Sequence, residues 1–291
     1  MAPSNRSKEI LLSLGLVRED TIVPFFPRVR DSEEVSALRD TQSGIIFLNR
    51  TDHITLSHYE DITGGSYWGS ATRDEALKKY GADDERRFKQ FTSEISGKDL
   101  VDIGCGTGGL LDLFKPVAKS VAGVEPQAYV RGELTRLGYP MYRLPSDMPA
   151  KSFDIATLFH TLEHVAEPLE MLQEVRKVLR PGGVVIIEVP HARDVLFKLD
   201  AFKKFSLWSE HLILHTKESL RTFLEKTGFV DIEIVGFQRY SLANHIGWLV
   251  DGTPGGQERL AQFSDSSMGK AYVDFLTAQD KTDTLLVTAR V

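Results

Sequence analysis

Short apolar runs and amphipathic segments alternate along residues 100–290. The apolar runs are bounded by glycine, proline or charged residues, as buried strands are, and the segments between them repeat apolar side chains every three or four positions, as helices do. The predicted strands are residues 100–103, 121–124, 141–143, 153–159, 184–189, 230–237 and 284–290, and the predicted helices are residues 109–114, 128–137, 168–179 and 217–227. This alternation predicts an α/β fold with a parallel sheet and right-handed crossover connections.

Two regions outside this alternation predict additions to the sheet. Residues 1–55 contain prolines near residue 25 and a short apolar run at residues 44–48, so we expect a small N-terminal β module there. The main domain then covers residues 56–291. Residues 238–283 are too many for a plain connection between two strands, and we expect this insert to shape a ligand pocket.

The first predicted strand of the main domain leads into a glycine-rich turn at residues 104–109. Glycines allow a sharp turn and let backbone N–H groups approach a ligand, and the next helix directs its positive N-terminus to the same place. Glu125 lies ~20 residues further on, as the ribose-binding acid does in dinucleotide-binding folds. An NAD-dependent oxidoreductase is therefore one alternative, and a glycine turn without any cofactor is another.

Five motifs, taken together, resemble the class I S-adenosyl-L-methionine (SAM)-dependent methyltransferases. They are residues 101–108 (VDIGCGTG), 123–126 (GVEP), 152–155 (SFDI), 162–165 (LEHV) and 179–183 (LRPGG), in the order and spacing of that family. The resemblance implies a doubly wound, seven-stranded, mostly parallel sheet of the Rossmann-like methyltransferase type. It also implies SAM as cofactor and methyl transfer as the reaction.

The resemblance also implies which residues hold SAM. Glu125 is expected to accept hydrogen bonds from the ribose hydroxyls, and Asp102 to steady the glycine turn. The aromatic residues Tyr67 and Trp68 precede a predicted helix and are candidates either to cap the sulfonium cation or simply to pack on the sheet. The other expected contacts come from Gly104, Cys105, Gly106, Gly108, Pro126, Met148 and Phe159.

Residues 208–220 resemble the Glu-His element of the sugar C-methyltransferases and of related enzymes of polysaccharide clusters. Carried over, His211 is the general base and Glu210 orients it, with His160, His215 or His245 as alternatives. Trp208 and the residue after it depart from the family's pattern, and the family's zinc-binding cysteines and large C-terminal second domain have no counterpart in this sequence. The element implies a sugar, nucleotide sugar or glycan as acceptor in carbohydrate biosynthesis, with residues 238–283 shaping the acceptor pocket.

Residues 160–164 also spell H-x-x-E-H, a zinc-ligand pattern of one protease class. Here the motif follows a strand and meets Pro168 within a turn, whereas the protease motif needs a long helix. Some RNA and quinone methyltransferases place magnesium or zinc near an E-x-x-E-H version, in which His160 replaces the first glutamate. Metal assistance stays open, and no metal ligand is predicted.

Composition and net charge limit the classes of molecule that the protein is expected to bind. The net charge of −6 gives no basic footprint, so a nucleic-acid partner is not expected and a small molecule or glycan is favoured. Cys105 is the single cysteine, which excludes a disulfide framework. No apolar run reaches the ~20 residues of a membrane span, and the polar N-terminus is unlike a signal peptide, so we expect a cytoplasmic protein. A homodimer is compatible with the sequence, as is a catalytically inactive SAM-binding partner subunit.

Overall fold

The computed structural model describes residues 5–61, 70–263 and 267–291. Tyr67 and Trp68, the predicted aromatic cap, lie outside these ranges. The helices are α1 (Arg6–Ser13), α2 (Leu56–Asp61), α3 (Arg73–Ile95), α4 (Gly109–Phe114), α5 (Ala128–Arg136), α6 (Pro168–Val178), α7 (Asp200–Ser206), α8 (Lys217–Lys226), α9 (Leu242–Asp251), α10 (Gly256–Arg259) and α11 (Ser267–Ala278). The strands are β1 (Ile22–Phe26), β2 (Ala37–Asp40), β3 (Ile46–Leu48), β4 (Asp99–Ile103), β5 (Ser120–Val124), β6 (Met141–Tyr142), β7 (Phe153–Phe159), β8 (Leu179–Pro190), β9 (Ile213–Leu214), β10 (Val230–Phe237) and β11 (Thr284–Arg290).

Seven strands form the main sheet in the order β10-β11-β8-β7-β4-β5-β6. Strands β4 to β8 are mutually parallel, and β11 runs antiparallel to both of its neighbours, β8 and β10. The predicted α/β class with a seven-stranded, mostly parallel sheet is therefore confirmed. Strand β8 starts earlier than predicted, because Leu179 is already extended and pairs with Phe153.

Helices cover both faces of this sheet, as alternation of side chains along its strands requires. On β4, Val101 belongs to the apolar cluster that includes α6 and α8, whereas Leu100 belongs to the cluster that includes α3, α4 and α5. Side chains such as Phe114 and Phe223 are fully buried between the layers. Each such burial contributes about 1.5–3 kcal/mol to the free energy of unfolding.

A second sheet of four antiparallel strands has the order β1-β2-β3-β9. Its last strand comes from far along the chain, where Ile213 and Leu214 pair with Phe47 and Ile46. Apolar residues of both sheets form one continuous cluster. Residues 1–55 therefore share their sheet with the segment that follows Trp208, and a domain boundary near residue 55 stays a prediction.

Candidate active site

A cavity of about 960 Å³ opens where β4, β5 and β7 end. The chain leaves β4 for one side of the sheet and β7 for the other, which is the switch point at which open α/β sheets bind ligands. The volume is at the upper end of the ~300–1,000 Å³ of ligand pockets. Residues from the glycine turn, from α3 and α6, and from the segment between α7 and β9 line it.

The glycine turn forms the floor of the cavity. Gly104, Gly106 and Gly108 have φ angles of 72°, 51° and 74°, a region that favours glycine. At Gly104 a Cβ would also lie 2.5 Å from Thr161 Oγ1, so a larger residue would displace the loop. Of the predicted cofactor contacts in this turn, Gly104, Cys105 and Gly106 line the cavity, whereas Gly108 is the N-cap of α4.

Glu125 follows β5 and lines the cavity, with 4% of its surface exposed. Its carboxylate accepts hydrogen bonds from the N–H groups of Gly106 at 3.1 Å and Gln127 at 2.9 Å. Burial raises the pKa of Glu125 to about 7, against the opposing effect of these N–H groups. Each oxygen retains a lone pair, so the carboxylate is able to accept further hydrogen bonds.

Two other predicted cofactor residues do not line this cavity. Asp102 is buried behind the turn and accepts a hydrogen bond from Thr157 Oγ1 at 2.7 Å. Burial raises the pKa of Asp102 to about 7. Met148 packs in the apolar core, and residues 144–146, which precede it, line the cavity instead. Pro126 and Phe159, also predicted as cofactor contacts, line the cavity.

His160 follows β7 and has a left-handed backbone, with φ 51°. Its Nδ1 lies 3.0 Å from Glu163 Oε1, and its Nε2 accepts a hydrogen bond from Arg239 Nη1 at 2.8 Å and lies 3.2 Å from Glu188. Burial and the charge of Arg239 oppose protonation, but the two carboxylates outweigh them and raise the pKa of His160. Both ring nitrogens are thus engaged, and His160 orders its neighbours.

His211, the predicted base, and Glu210, the residue predicted to orient it, both line the cavity, but their side chains form no hydrogen bond with each other. Glu210 Oε1 instead lies 2.9 Å from His58 Nε2, because α2 packs on this wall. The His211 ring packs edge-on against His164, with 5.0 Å between the ring centres, and its buried Nδ1 has no hydrogen-bond partner among the described residues. Burial and the nearby His164 lower the pKa of His211 to about 4, so the ring is neutral at pH 7.

Of the three alternative bases, His160 lines the cavity, whereas His215 and His245 lie away from it. His215 is fully buried, with Nδ1 3.0 Å from the Ser219 hydroxyl. His245 contacts Tyr272 through Nδ1 and Gln238 through Nε2. Of the predicted insert at residues 238–283, Arg239 is the part that reaches the cavity in the described chain.

A buried charge cluster beside His160 escaped the sequence analysis. Glu188, with 0% of its side chain exposed, accepts hydrogen bonds from Arg86 at 2.8 Å and Arg87 at 3.0 Å, and Arg239 binds Asp83 next to them. Burial alone would raise the pKa of Glu188, but His160 and Arg87 hold it well below its ordinary value. The available signal was one glutamate near the end of the otherwise apolar run at residues 184–189, together with a pair of arginines at residues 86 and 87.

A family model described as a methyltransferase domain matches residues 76–234, more than half of the chain. The chain belongs to this methyltransferase family. The match contains the glycine turn, Glu125 and the wall that carries His211. The predicted SAM-dependent methyltransferase is thereby confirmed.

Curated relatives of this methyltransferase act on different acceptors by name. A tRNA U34 carboxymethyltransferase of Idiomarina loihiensis is 25% identical over 71% of this chain and 66% of its own length. A ubiquinone biosynthesis O-methyltransferase of a Bradyrhizobium strain is 30% identical over 40% of this chain and 47% of its own length. The matches thus span less than two thirds of these relatives. The sugar C-methyltransferase branch is not confirmed.

Solved structures support the fold. A SAM-dependent methyltransferase from Archaeoglobus fulgidus has a TM-score of 0.50 at 17% identity, covering 80% of this chain and 100% of that one. A phosphoethanolamine N-methyltransferase 2 of Haemonchus contortus, in complex with S-adenosylhomocysteine, has a TM-score of 0.51 at 18% identity, covering 82% and 60%. In the described part of the methyltransferase, no helix is both long and apolar enough to cross a membrane.

The residues of the cavity fit SAM. Gly104 and Gly106 line the cavity without side chains, and the partly free carboxylate of Glu125 suits a ribose diol. Phe159, stacked on Phe91 with 5.9 Å between ring centres, gives an apolar wall. SAM supplies a methyl group on a positively charged sulfur. Asp84, which also lines the cavity, adds negative charge.

The pKa of Glu125 predicts how cofactor binding changes with pH. A carboxyl group with a pKa of about 7 is mostly protonated at pH 6 and mostly ionised at pH 8, and the ionised form is the stronger acceptor. We expect the affinity for S-adenosylhomocysteine, measured by calorimetry, to rise about tenfold between pH 6 and pH 8. Glu125→Gln should bind about tenfold more weakly at pH 8 and lose this pH dependence. A flat profile for the unmodified protein would assign the ribose to another residue.

Proposed function

We propose that this methyltransferase transfers a methyl group to a hydroxyl of a sugar, nucleotide sugar or glycan. The observation that carries the proposal is that one cavity joins the glycine turn and Glu125 to a wall of polar side chains, formed by Tyr59, His164, Glu210 and His211. A cofactor over the glycine turn and an acceptor against this wall would share the same space. Transfer needs this proximity, since holding reactants in line supplies much of the rate enhancement.

The chemistry of the wall suits a polyhydroxylated acceptor. Tyr59 OH lies 3.5 Å from His164 Nδ1, and Glu210 Oε2 lies 3.9 Å from the same nitrogen. Hydroxyl, imidazole and carboxylate groups alternate as donors and acceptors, as recognition of several hydroxyls requires. The Glu-His element of the sugar C-methyltransferases supports the same acceptor class. It does not distinguish oxygen from carbon, and the hydroxyl is our choice because the wall offers proton acceptors.

His211 is the residue to which we assign removal of the hydroxyl proton. Its ring is neutral at pH 7 and its buried Nδ1 has no hydrogen-bond partner among the described residues, while the charges of Glu163 and Glu210 partly offset the effects that disfavour a positive ring. A general base of this kind contributes ~10²–10⁴ to the rate. His160, whose nitrogens are both engaged, holds Glu163 in place and is a positioning residue in this assignment.

Charge favours a small acceptor over tRNA, the acceptor named for some relatives. The chain has a net charge of −6, and three glutamates line one side of the cavity at the start of α6 and within it: Glu167, paired with Arg6, Glu170, and Glu174, paired with Lys177. Binding of nucleic acid draws on lysine and arginine contacts with phosphates. Arg143 is present at this edge, but it is paired with Glu60. The acidic rim therefore supports a substrate without a polyanionic backbone.

Calorimetric titration of the protein loaded with S-adenosylhomocysteine tests the acceptor class. We expect nucleotide sugars to bind to the loaded protein, and Glu210→Gln to weaken that binding at least ~10-fold through loss of a charged acceptor. Glu233→Gln, at an exposed position on β10, is the matched control. Tight, strongly salt-dependent binding of tRNA with no binding of sugars would contradict the proposal.

A further inference from the structure

Three potential metal ligands converge on the polar wall of the cavity. One atom from each of Glu163, His164 and His211 lies within 4.8 Å of the other two. They come from two separate segments, the turn after β7 and the segment before β9, which the fold brings together. In tetrahedral coordination, ligand atoms bound at about 2.0–2.2 Å lie ~3.3–3.6 Å apart, so the ligand atoms would approach one another by up to ~1.5 Å to complete the site.

Two atoms in this cluster have no partner in the described chain. Glu163 has 0% of its side chain exposed, and its Oε2 makes no hydrogen bond, as is also true of His211 Nδ1. Buried polar atoms are rarely left unsatisfied, and an ion is one of the reasons for exceptions. Both atoms lie in residues of the same cluster, so one cation would satisfy both.

The surrounding contacts orient the ligands as an outer shell does. His160 Nδ1 holds Glu163 Oε1 at 3.0 Å, which leaves Oε2 for an ion. His164 Nε2 faces Glu163 at 4.0 Å, while its Nδ1 faces Tyr59 OH at 3.5 Å and Glu210 at 3.9 Å. A metal-binding histidine usually directs its other nitrogen at a carboxylate or another polar group in this way.

We propose that Glu163, His164 and His211 bind one divalent transition-metal ion. Two imidazoles and one carboxylate are a set that suits zinc, and manganese is a related candidate because it accepts carboxylate and imidazole ligands. Three protein ligands leave coordination positions open, and His164 and His211 line the cavity. The open positions would take an oxygen of the acceptor.

The role of the cation, though not its binding, rests on the proposed function. A hydroxyl coordinated to a divalent ion loses its proton more readily. With the ion bound, His211 is a ligand and no longer the base assigned above, and the hydroxyl proton passes to the Glu210 carboxylate. The resulting alkoxide oxygen forms a bond to the methyl carbon of SAM, and the carbon–sulfur bond breaks to release S-adenosylhomocysteine.

Calorimetric titration of chelator-treated protein with Zn²⁺ or Mn²⁺, in the absence of cofactor and acceptor, tests the site. We expect one ion per chain, and affinity at least ~10-fold lower in Glu163→Gln and in His164→Asn. Glu233→Gln, which removes an exposed carboxylate on β10, should bind as the unmodified protein does. Thermal unfolding of each metal-free variant checks that it is folded.

Absence of binding to the unmodified protein, or binding that both ligand variants retain, would overturn the metal site. The titration contains no acceptor, so its outcome is independent of the sugar proposal. If the protein binds the metal but no sugar, only the proposed function is contradicted. If it binds sugars but no metal, only the metal site is contradicted.

Discussion

Replacement of His211 by alanine is expected to lower the rate of methyl transfer at least ~100-fold, with little change in affinity for SAM. The ring lies on the acceptor side of the cavity, whereas the residues assigned to the cofactor are the glycine turn and Glu125. Loss of either a base or a metal ligand removes an interaction needed for deprotonation. Single-turnover rates with labelled SAM, together with calorimetry of S-adenosylhomocysteine, separate turnover from binding.

His191→Ala is the matched control for this variant. His191 is fully buried and follows β8, yet it does not line the cavity. The substitution should change the stability of the protein but leave the rate of methyl transfer by the folded enzyme within a few fold of the unmodified rate. Unchanged turnover in His211→Ala would remove His211 from the mechanism, both as base and as metal ligand.

Glu188→Gln is expected to destabilise the protein by ~3–5 kcal/mol, as removal of one partner from a buried ion pair does. The substitution keeps the shape of the side chain but leaves Arg86 and Arg87 without their shared negative charge. Urea unfolding at pH 7 measures the loss. The pKa of Glu188 is lower in the folded protein than the ordinary 4.5, so its contribution is present above about pH 4.5 and is lost as the pH falls through the folded-state value.

The exposed Glu233→Gln is again the comparison, because it removes a glutamate charge from β10 without disturbing a buried pair. Its free energy of unfolding should stay within ~0.5 kcal/mol of the unmodified value. A loss below ~1 kcal/mol in Glu188→Gln would mean that the arginines find other partners or water.

Local patterns in the sequence were enough to predict the main sheet and the glycine turn. The spacing of apolar residues and the residue types that form turns are local features. Strands such as residues 100–103 and turn positions such as Gly104 can therefore be predicted from a few neighbouring residues. Glu125 was predicted from its spacing, ~20 residues after the glycine turn, and from the family resemblance of its motif. The assignment of Asp102 relied on resemblance, and the structure buries this side chain behind the turn against Thr157.

Contacts between distant segments could not be read from the sequence. The pairing of Glu210 with His58 joins residues 152 positions apart, and Glu188 meets Arg86 across 102 positions. The sequence also did not predict that Ile213 and Leu214 complete the four-stranded sheet, since two residues are too few to show the alternation of a strand. Each motif could be recognised in the sequence by itself, but local patterns do not show which motifs lie side by side in the folded cavity.

The fate of the transferred methyl group tests the central claim most directly. The protein would be incubated with SAM carrying a carbon-13 methyl group and with nucleotide sugars, and in parallel with tRNA, and the products would be examined by carbon-13 NMR. We predict a labelled methyl carbon bonded to an oxygen of the sugar. Label on a sugar carbon, or in tRNA with none in the sugars, would contradict the account.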